Sequence, residues 1–143
     1  MNYWIIPCQK KIKLFAGNPH DALRERPAFV SFDIKHQSIR ISKAGVTMMD
    51  LNVGKRFHFI AMDEKIYCSL AHEYGNKLIR ASRGDMHTKN AGFLDYVKKY
   101  FGAYNSFRCD IQKTNCEFNG HALWELIMPY RYKRSYFINK YKQ

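Results

Sequence analysis

The chain has 143 residues, the size of one ordinary domain, and 46% of them are hydrophobic. Its aromatic content of 15% exceeds what a disordered chain carries, so we expect a folded domain. A formal net charge of +12 at pH 7 indicates an anionic partner, and nucleic acid, a membrane surface and an acidic protein all have the required charge. No apolar run is long enough to span a bilayer, and of these partners we favour nucleic acid or an acidic protein and expect no membrane partner.

The start of the chain and its cysteines predict a reducing compartment. The segment MNYWIIPCQKK has too short an apolar run to be a secretory signal, so we expect a cytoplasmic protein. The four cysteines are expected to be reduced, and neither they nor the six histidines have the spacing of zinc ligands. We therefore expect no metal and no cofactor. No pair of acids has catalytic spacing, which favours a protein without enzymatic activity over an enzyme.

The first half of the chain predicts strands separated by turns. Residues 2–7 are rich in strand-forming residues, and residues 21–25 have the composition of a short helical turn before a proline. Alternation of apolar and polar residues predicts strands over residues 28–34 and 38–42. Ser42 can then cap a brief helix that reaches the residues before Gly54.

The second half predicts a β-hairpin, a helix and a further strand pair. Residues 55–62 and 66–71 flank the tight turn DEK, residues 77–81 form another short strand, and residues 82–90 are loop. Over residues 91–101, apolar residues at helical spacing precede Gly102, which predicts an amphipathic helix. Two more antiparallel strands are predicted at residues 106–111 and 121–128.

These elements predict an α+β fold. The expected architecture is a single small domain over residues 1–129, in which one amphipathic helix, at about residues 92–101, packs on a twisted antiparallel sheet. Residues 130–143 are treated as a separate basic and aromatic C-terminal tail.

Residues 39–59, IRISKAGVTMMDLNVGKRFHF, resemble the DNA-binding half of AbrB/SpoVT-type swapped-hairpin proteins. In that family a strand leads into a short helix, an apolar residue, a turn with Gly-Asp or Gly-Lys, and a second strand. The matching residues here are Ile39, Ile41, Leu51, Val53, Gly54, Lys55, Phe57 and Phe59. The resemblance implies DNA binding by an intertwined homodimer, although a chain of this length also has enough core to remain monomeric.

Four basic residues surround the turn of this segment and would form an edge that contacts phosphates: Arg40, Lys43, Lys55 and Arg56. A solvated strand face explains the same residues.

The wider chain is similar to small uncharacterised proteins of Bacteroidetes genomes and their mobile elements. Its opening, MNYWIIP, is similar to the first strand of EVE/PUA-like modules, which implies binding of a modified base or RNA.

The C-terminal segment YRYKRSYFINKYKQ has five basic side chains and no acidic one. Aromatic rings stack on bases while lysine and arginine neutralise phosphates, so the segment has the composition of a single-strand contact. The residues predicted to bind nucleic acid here are Arg131, Tyr132, Lys133, Arg134, Tyr136, Lys140 and Lys142. Alternatively, Tyr130, Tyr132 and Phe137 pack on the body of the domain and the charges only keep this end soluble.

The favoured function is therefore that of a non-enzymatic nucleic-acid-binding protein. DNA is favoured over RNA, with a transcriptional role or an accessory role in a mobile element. The alternative is a protein-interaction adaptor or assembly component that binds an acidic partner, and the third is the EVE/PUA-like binder of RNA or modified bases.

Overall fold

The computed structural model describes residues 27–142. The strand predicted at residues 2–7, the helical turn at residues 21–25, Cys8 and the EVE/PUA-like opening lie outside the described residues. The described part forms, in chain order, β1 (Phe29–Asp33), β2 (Ser38–Ile41), α1 (Lys43–Met48), β3 (Arg56–Met62), β4 (Lys65–Ala71), β5 (Asn76–Lys77), β6 (Ile79–Arg80), β7 (Met86–Thr88), α2 (Ala91–Phe101), β8 (Phe107–Phe118), β9 (His121–Ile127) and α3 (Tyr130–Lys142). A short 3₁₀ turn, Ser82–Gly84, joins β6 to β7.

All nine strands form one antiparallel sheet, in the order β5-β3-β4-β9-β8-β1-β2-β7-β6. The two end strands, β5 and β6, are separated in the chain by Leu78 alone. The amide of Leu78 donates to the carbonyl of Lys55 at 2.8 Å, and the amide of Gly54 donates to the carbonyl of Leu78 at 2.8 Å. The sheet therefore curls until its two ends nearly meet, in a barrel-like arrangement.

The α+β class is confirmed, but two details of the predicted architecture are wrong. The sheet is nearly closed instead of simply twisted, and three helices accompany it in the described residues, whereas the predicted architecture had one packed helix. The brief helix predicted after Ser42 is α1, and α3 was not predicted. In this part of the chain no helix combines the length and apolar character needed to cross a membrane. The predicted loop at residues 82–90 also contains β7, which pairs with β2 and β6.

Side-chain caps explain where α1 and α2 begin. The Ser42 hydroxyl accepts a hydrogen bond from the amide of Gly45 at 3.1 Å, as the sequence predicted for a capping serine. The Asn90 side chain caps α2 in the same way through the amide of Phe93 at 3.0 Å. Gly102 ends α2 in the left-handed region, with φ of 65°. These contacts place the start of α1 and both ends of α2 near the predicted residues, whereas α1 ends at Met48 and not at Gly54, which the sequence predicted to close it.

The core lies between α2 and the concave side of the sheet, where the apolar stripe of α2 packs on phenylalanine rings. The ring centre of Phe93 lies 4.7 Å from that of Phe59 and 5.8 Å from that of Phe32. Phe32 also stacks on Phe107 at 5.0 Å. Such aromatic contacts add to the free energy gained by burial of the rings. The predicted role of residues 91–101 as a core helix is confirmed.

Candidate nucleic-acid interface

The C-terminal segment forms α3, and one face of this helix packs on the domain. Tyr132 and Tyr136 are 7% and 6% exposed. The ring of Tyr132 lies 5.0 Å from that of Phe107, and the ring of Tyr136 lies 5.1 Å from that of Phe101. Both tyrosines therefore belong to the core, so their rings are not available to stack on a base.

A polar contact completes the packing of α3 on α2. The amide group of Asn139 donates to the carbonyl of Lys99 at 3.3 Å and to that of Tyr100 at 3.0 Å. These carbonyls lie in the last turn of α2, where the helix itself supplies no donors. Tyr96 of α2 is partly buried beside Tyr136, and this burial raises the pKa of its phenol to about 12. Hence α3 is held by both apolar and polar contacts.

The opposite side of α3 is exposed and combines aromatic, aliphatic and basic side chains. We call this the outer face of α3, and it consists of Tyr130, Arg131, Arg134, Phe137, Ile138 and Tyr141. Tyr130 and Tyr141 are 79% and 82% exposed, and Phe137 is 42% exposed. Members separated by three or four residues, such as Tyr130 and Arg134 or Phe137 and Tyr141, follow one side of the helix.

The basic residues predicted in this segment differ in their surroundings. The Arg131 guanidinium carbon lies 4.6 Å from the centre of the Tyr132 ring, and the group donates to the Tyr132 hydroxyl at 3.0 Å. Lys140 lies 3.6 Å from the Asp63 carboxylate, an ion pair that offsets part of its charge. Lys133 is half-buried, Arg134 is exposed, and Lys142 is the last residue of α3. On the outer face, Arg134 is exposed, and Arg131 is exposed but contacts Tyr132.

Arg40 and Lys43, predicted as phosphate contacts, lie beside the 3₁₀ turn. Arg40 Nε donates to the Asp85 carboxylate at 2.8 Å, and Arg40 also donates to the Ser82 hydroxyl at 2.6 Å. The backbone amide of Lys43 donates to the other oxygen of Asp85 at 2.9 Å. Arg40 is thus a structural bridge between β2 and the 3₁₀ turn, with part of its charge compensated.

Lys55 and Arg56, the other predicted pair, lie at the start of β3. Arg56 donates to the carbonyl of Gly75 at 2.9 Å and is half-buried, while Lys55 is exposed. Arg40 lies on β2 and Arg56 lies on β3. These strands are not neighbours, because β2 pairs with β1 and β7 whereas β3 pairs with β4 and β5. The four basic residues therefore use different local partners.

The outer face of α3 contains aromatic residues that the sequence analysis did not assign to the contact. Tyr130, Phe137 and Tyr141 are exposed where Tyr132 and Tyr136 are buried. Tyr130, Arg134, Phe137 and Tyr141 are separated by four, three and four residues, which places them on one side of the segment once it is known to be helical. The buried side also has aromatic residues, so the spacing alone does not tell the two sides apart.

The remaining reactive side chains form no larger constellation. Burial raises the pKa of the Cys68 and Cys109 thiols, while Cys116 is exposed. Within residues 27–142, no group of three or more His, Cys, Asp or Glu side chains is placed to hold a metal ion. No protein-family model, curated protein or solved structure matches this chain.

Proposed function

We propose that this protein binds single-stranded nucleic acid without catalysing a reaction, and that the outer face of α3 is its contact surface. One observation carries the proposal. Exposed Tyr130, Phe137 and Tyr141 share one helix side with Arg131 and Arg134, and α3 has no acidic residue. DNA is favoured over RNA as the bound strand.

Base stacking and phosphate neutralisation both favour binding of a single strand to these aromatic and basic side chains. Each base stacked on an aromatic side chain contributes roughly 1–3 kcal/mol, and the stacking tolerates any base because every base has a π-face. Arginine neutralises phosphate and releases counterions, which makes binding sensitive to salt. Because unpaired bases expose their faces, a single strand uses both terms, whereas a duplex hides its base faces.

The length of the face sets the expected size of the contact. Tyr130 and Tyr141 are eleven residues apart. At a rise of about 1.5 Å per residue, this separation corresponds to about 16 Å along the helix. At about 3.4 Å per stacked nucleotide, about five nucleotides fit along the face. We therefore expect the affinity of this surface to rise with oligonucleotide length up to about five nucleotides.

The test is to measure binding of labelled single strands and duplexes to the full chain over a range of salt concentrations. Changing Arg131 and Arg134 to glutamine should lower the slope of log affinity against log salt by up to about 0.7 per lost phosphate contact. Changing Tyr130, Phe137 and Tyr141 to alanine should weaken binding by roughly 1–3 kcal/mol per stacked base. The aromatic variant should leave the salt slope nearly unchanged.

A matched control removes the same number of charges elsewhere. Lys77 on β5 and Lys113 on β8 are exposed, and changing both to glutamine should leave single-strand binding almost unaltered. An equal loss in this control would show that only net charge matters and would overturn the assignment to α3. Binding to a polyglutamate peptide but not to oligonucleotides would support the adaptor alternative instead.

A further inference from the structure

Two histidines that are far apart in sequence meet at one end of the sheet. His72 follows the last residue of β4, and His121 is the first residue of β9. Their Nε2 atoms are 2.9 Å apart, and their ring centres are 4.3 Å apart. Antiparallel pairing of β4 with β9 is the cause of this approach, because it brings the end of one strand beside the start of the next.

The pair is open to solvent and lies beside polar groups. His72 is exposed and His121 is half-buried. A cleft of about 340 Å³ adjoins His72, and Glu73, Tyr74 and Asn119 also line it. Asn119 donates to the Tyr74 hydroxyl at 2.9 Å, which holds this side of the cleft in place. Water and small ions can therefore reach His72, and the 2.9 Å contact places the Nε2 atom of His121 directly beside it.

The distance between the two nitrogen atoms has the value expected for neighbouring ligands of one metal ion. Imidazole nitrogen binds first-row metals at about 2.0–2.1 Å. Two such ligands at a right angle are about 2.9 Å apart, whereas two ligands at the tetrahedral angle are about 3.3 Å apart. The 2.9 Å separation is that of the hydrogen bond in the metal-free pair and lies within about 0.4 Å of both values, so the pair needs little rearrangement to bind one ion. Copper(II) has the highest affinity for nitrogen ligands among the divalent first-row metals, and copper(II) and nickel(II) both accept nitrogen and oxygen ligands in tetragonal geometry.

We propose that His72 and His121 form a two-histidine site for copper(II) or nickel(II), with water in the remaining coordination positions. When the metal binds, the histidine that donates the Nε2–H hydrogen bond takes the tautomer with its proton on Nδ1, so both Nε2 lone pairs are free to bind the ion. His58 is excluded from the ligand set, because it is 6% exposed and lies against the rings of Tyr74 and Phe118. This proposal is independent of nucleic-acid binding.

The test uses the full chain without an added histidine tag. Titration with copper(II), followed by electron paramagnetic resonance, should show one tight site per chain with coupling to two imidazole nitrogens. H72Q and H121Q should each weaken binding at this site at least tenfold. H36Q is the matched control, because His36 is also exposed but contacts Asp33, and it should bind copper(II) as the unchanged chain does.

A measurement on the unchanged chain makes the test independent of how the variants fold. Bound copper(II) should broaden the NMR signals of His72 and His121 before those of His36. Equal copper affinity in all four proteins, coupling to fewer than two nitrogens, or broadening centred elsewhere would each overturn the proposal. In those cases the 2.9 Å contact is only a hydrogen bond between two histidines.

Discussion

His58 is buried, and burial disfavours its protonated form. It is 6% exposed, its Nε2 atom has no hydrogen-bond partner among the described residues, and burial lowers its pKa, with a further contribution from His121. Because histidine in the unfolded chain accepts a proton more readily, the folded state loses stability as the pH falls below about 6.5, whereas above that pH the titration of His58 contributes nothing.

We predict that His58→Leu flattens the dependence of stability on pH. At neutral pH the variant should gain about 1 kcal/mol, because it no longer buries an unpaired nitrogen. The free energy of unfolding of the unchanged chain should fall more steeply between pH 7 and pH 5 than that of the variant. Urea titrations at both pH values measure the two slopes, and parallel slopes would contradict the prediction.

The three described cysteines should react at different rates. The Cys68 thiol lies 3.8 Å from the sulfur of Met49, the Cys109 thiol lies 3.6 Å from that of Met128, and both are buried, whereas Cys116 is exposed. In a C8S variant, which removes the cysteine outside the described residues, iodoacetamide should label Cys116 first and the other two only in denaturant. Mass spectrometry of peptides identifies the labelled sites, and early labelling of Cys109 would contradict this prediction.

At the scale of elements, α3 offers adjacent aromatic residues with opposite roles. Tyr136 is 6% exposed and Phe137 is 42% exposed. We predict that Tyr136→Ala lowers the free energy of unfolding by about 3 kcal/mol, because it leaves a cavity beside Phe101. Phe137→Ala should change stability by less than about 1 kcal/mol but weaken single-strand binding.

Thermal unfolding and oligonucleotide binding, measured on both variants below their melting temperatures, separate these roles. A large stability loss in Phe137→Ala would mean that this ring packs on the domain. Unchanged oligonucleotide binding in the same variant would remove Phe137 from the proposed contact surface. Tyr136→Ala should retain binding once it is folded.

Most elements could be predicted from sequence because their signals are local. Alternation predicted β1 and β2, the DEK turn predicted the β3–β4 hairpin, and the apolar stripe ending at Gly102 predicted α2. The helical state of residues 130–142 could not be predicted in this way. Both sides of α3 have aromatic residues, so its buried side, with Tyr132 and Tyr136, differs little in hydrophobicity from its exposed side.

At the scale of the whole molecule, the features that sequence reasoning missed depend on contacts between distant residues. Asp85 meets Arg40 only because β7 pairs with β2, and His72 meets His121 only because β4 pairs with β9. No spacing rule along the chain encodes such contacts. The sequence predicted a basic and aromatic C-terminal contact but assigned to it Tyr132 and Tyr136, which are buried, and the exposed rings were identified only once the orientation of α3 was known.

The side chain of Leu78 is buried where the sheet closes. Leu78 links the two end strands and is 1% exposed, while the next residue, Ile79, is 50% exposed. Removing the buried side chain should leave a cavity where the sheet closes, so Leu78→Ala should lower the free energy of unfolding by about 2–5 kcal/mol. Ile79→Ala, which removes a similar side chain from the surface, should cost less than about 1 kcal/mol.

Hydrogen exchange then shows whether the loss is concentrated where the sheet closes. The amides of Gly54 and Leu78 form hydrogen bonds that join Leu78 to the residues before β3, and both should exchange faster in Leu78→Ala than in the unchanged chain. Amides in the central strands should retain their relative protection, because β8, β9 and β1 are paired on both sides. Equal stability loss in the two alanine variants would mean that the buried side chain of Leu78 stabilises the protein no more than the exposed side chain of Ile79 does. The closed sheet would then be held by its backbone hydrogen bonds and not by the packing of this side chain.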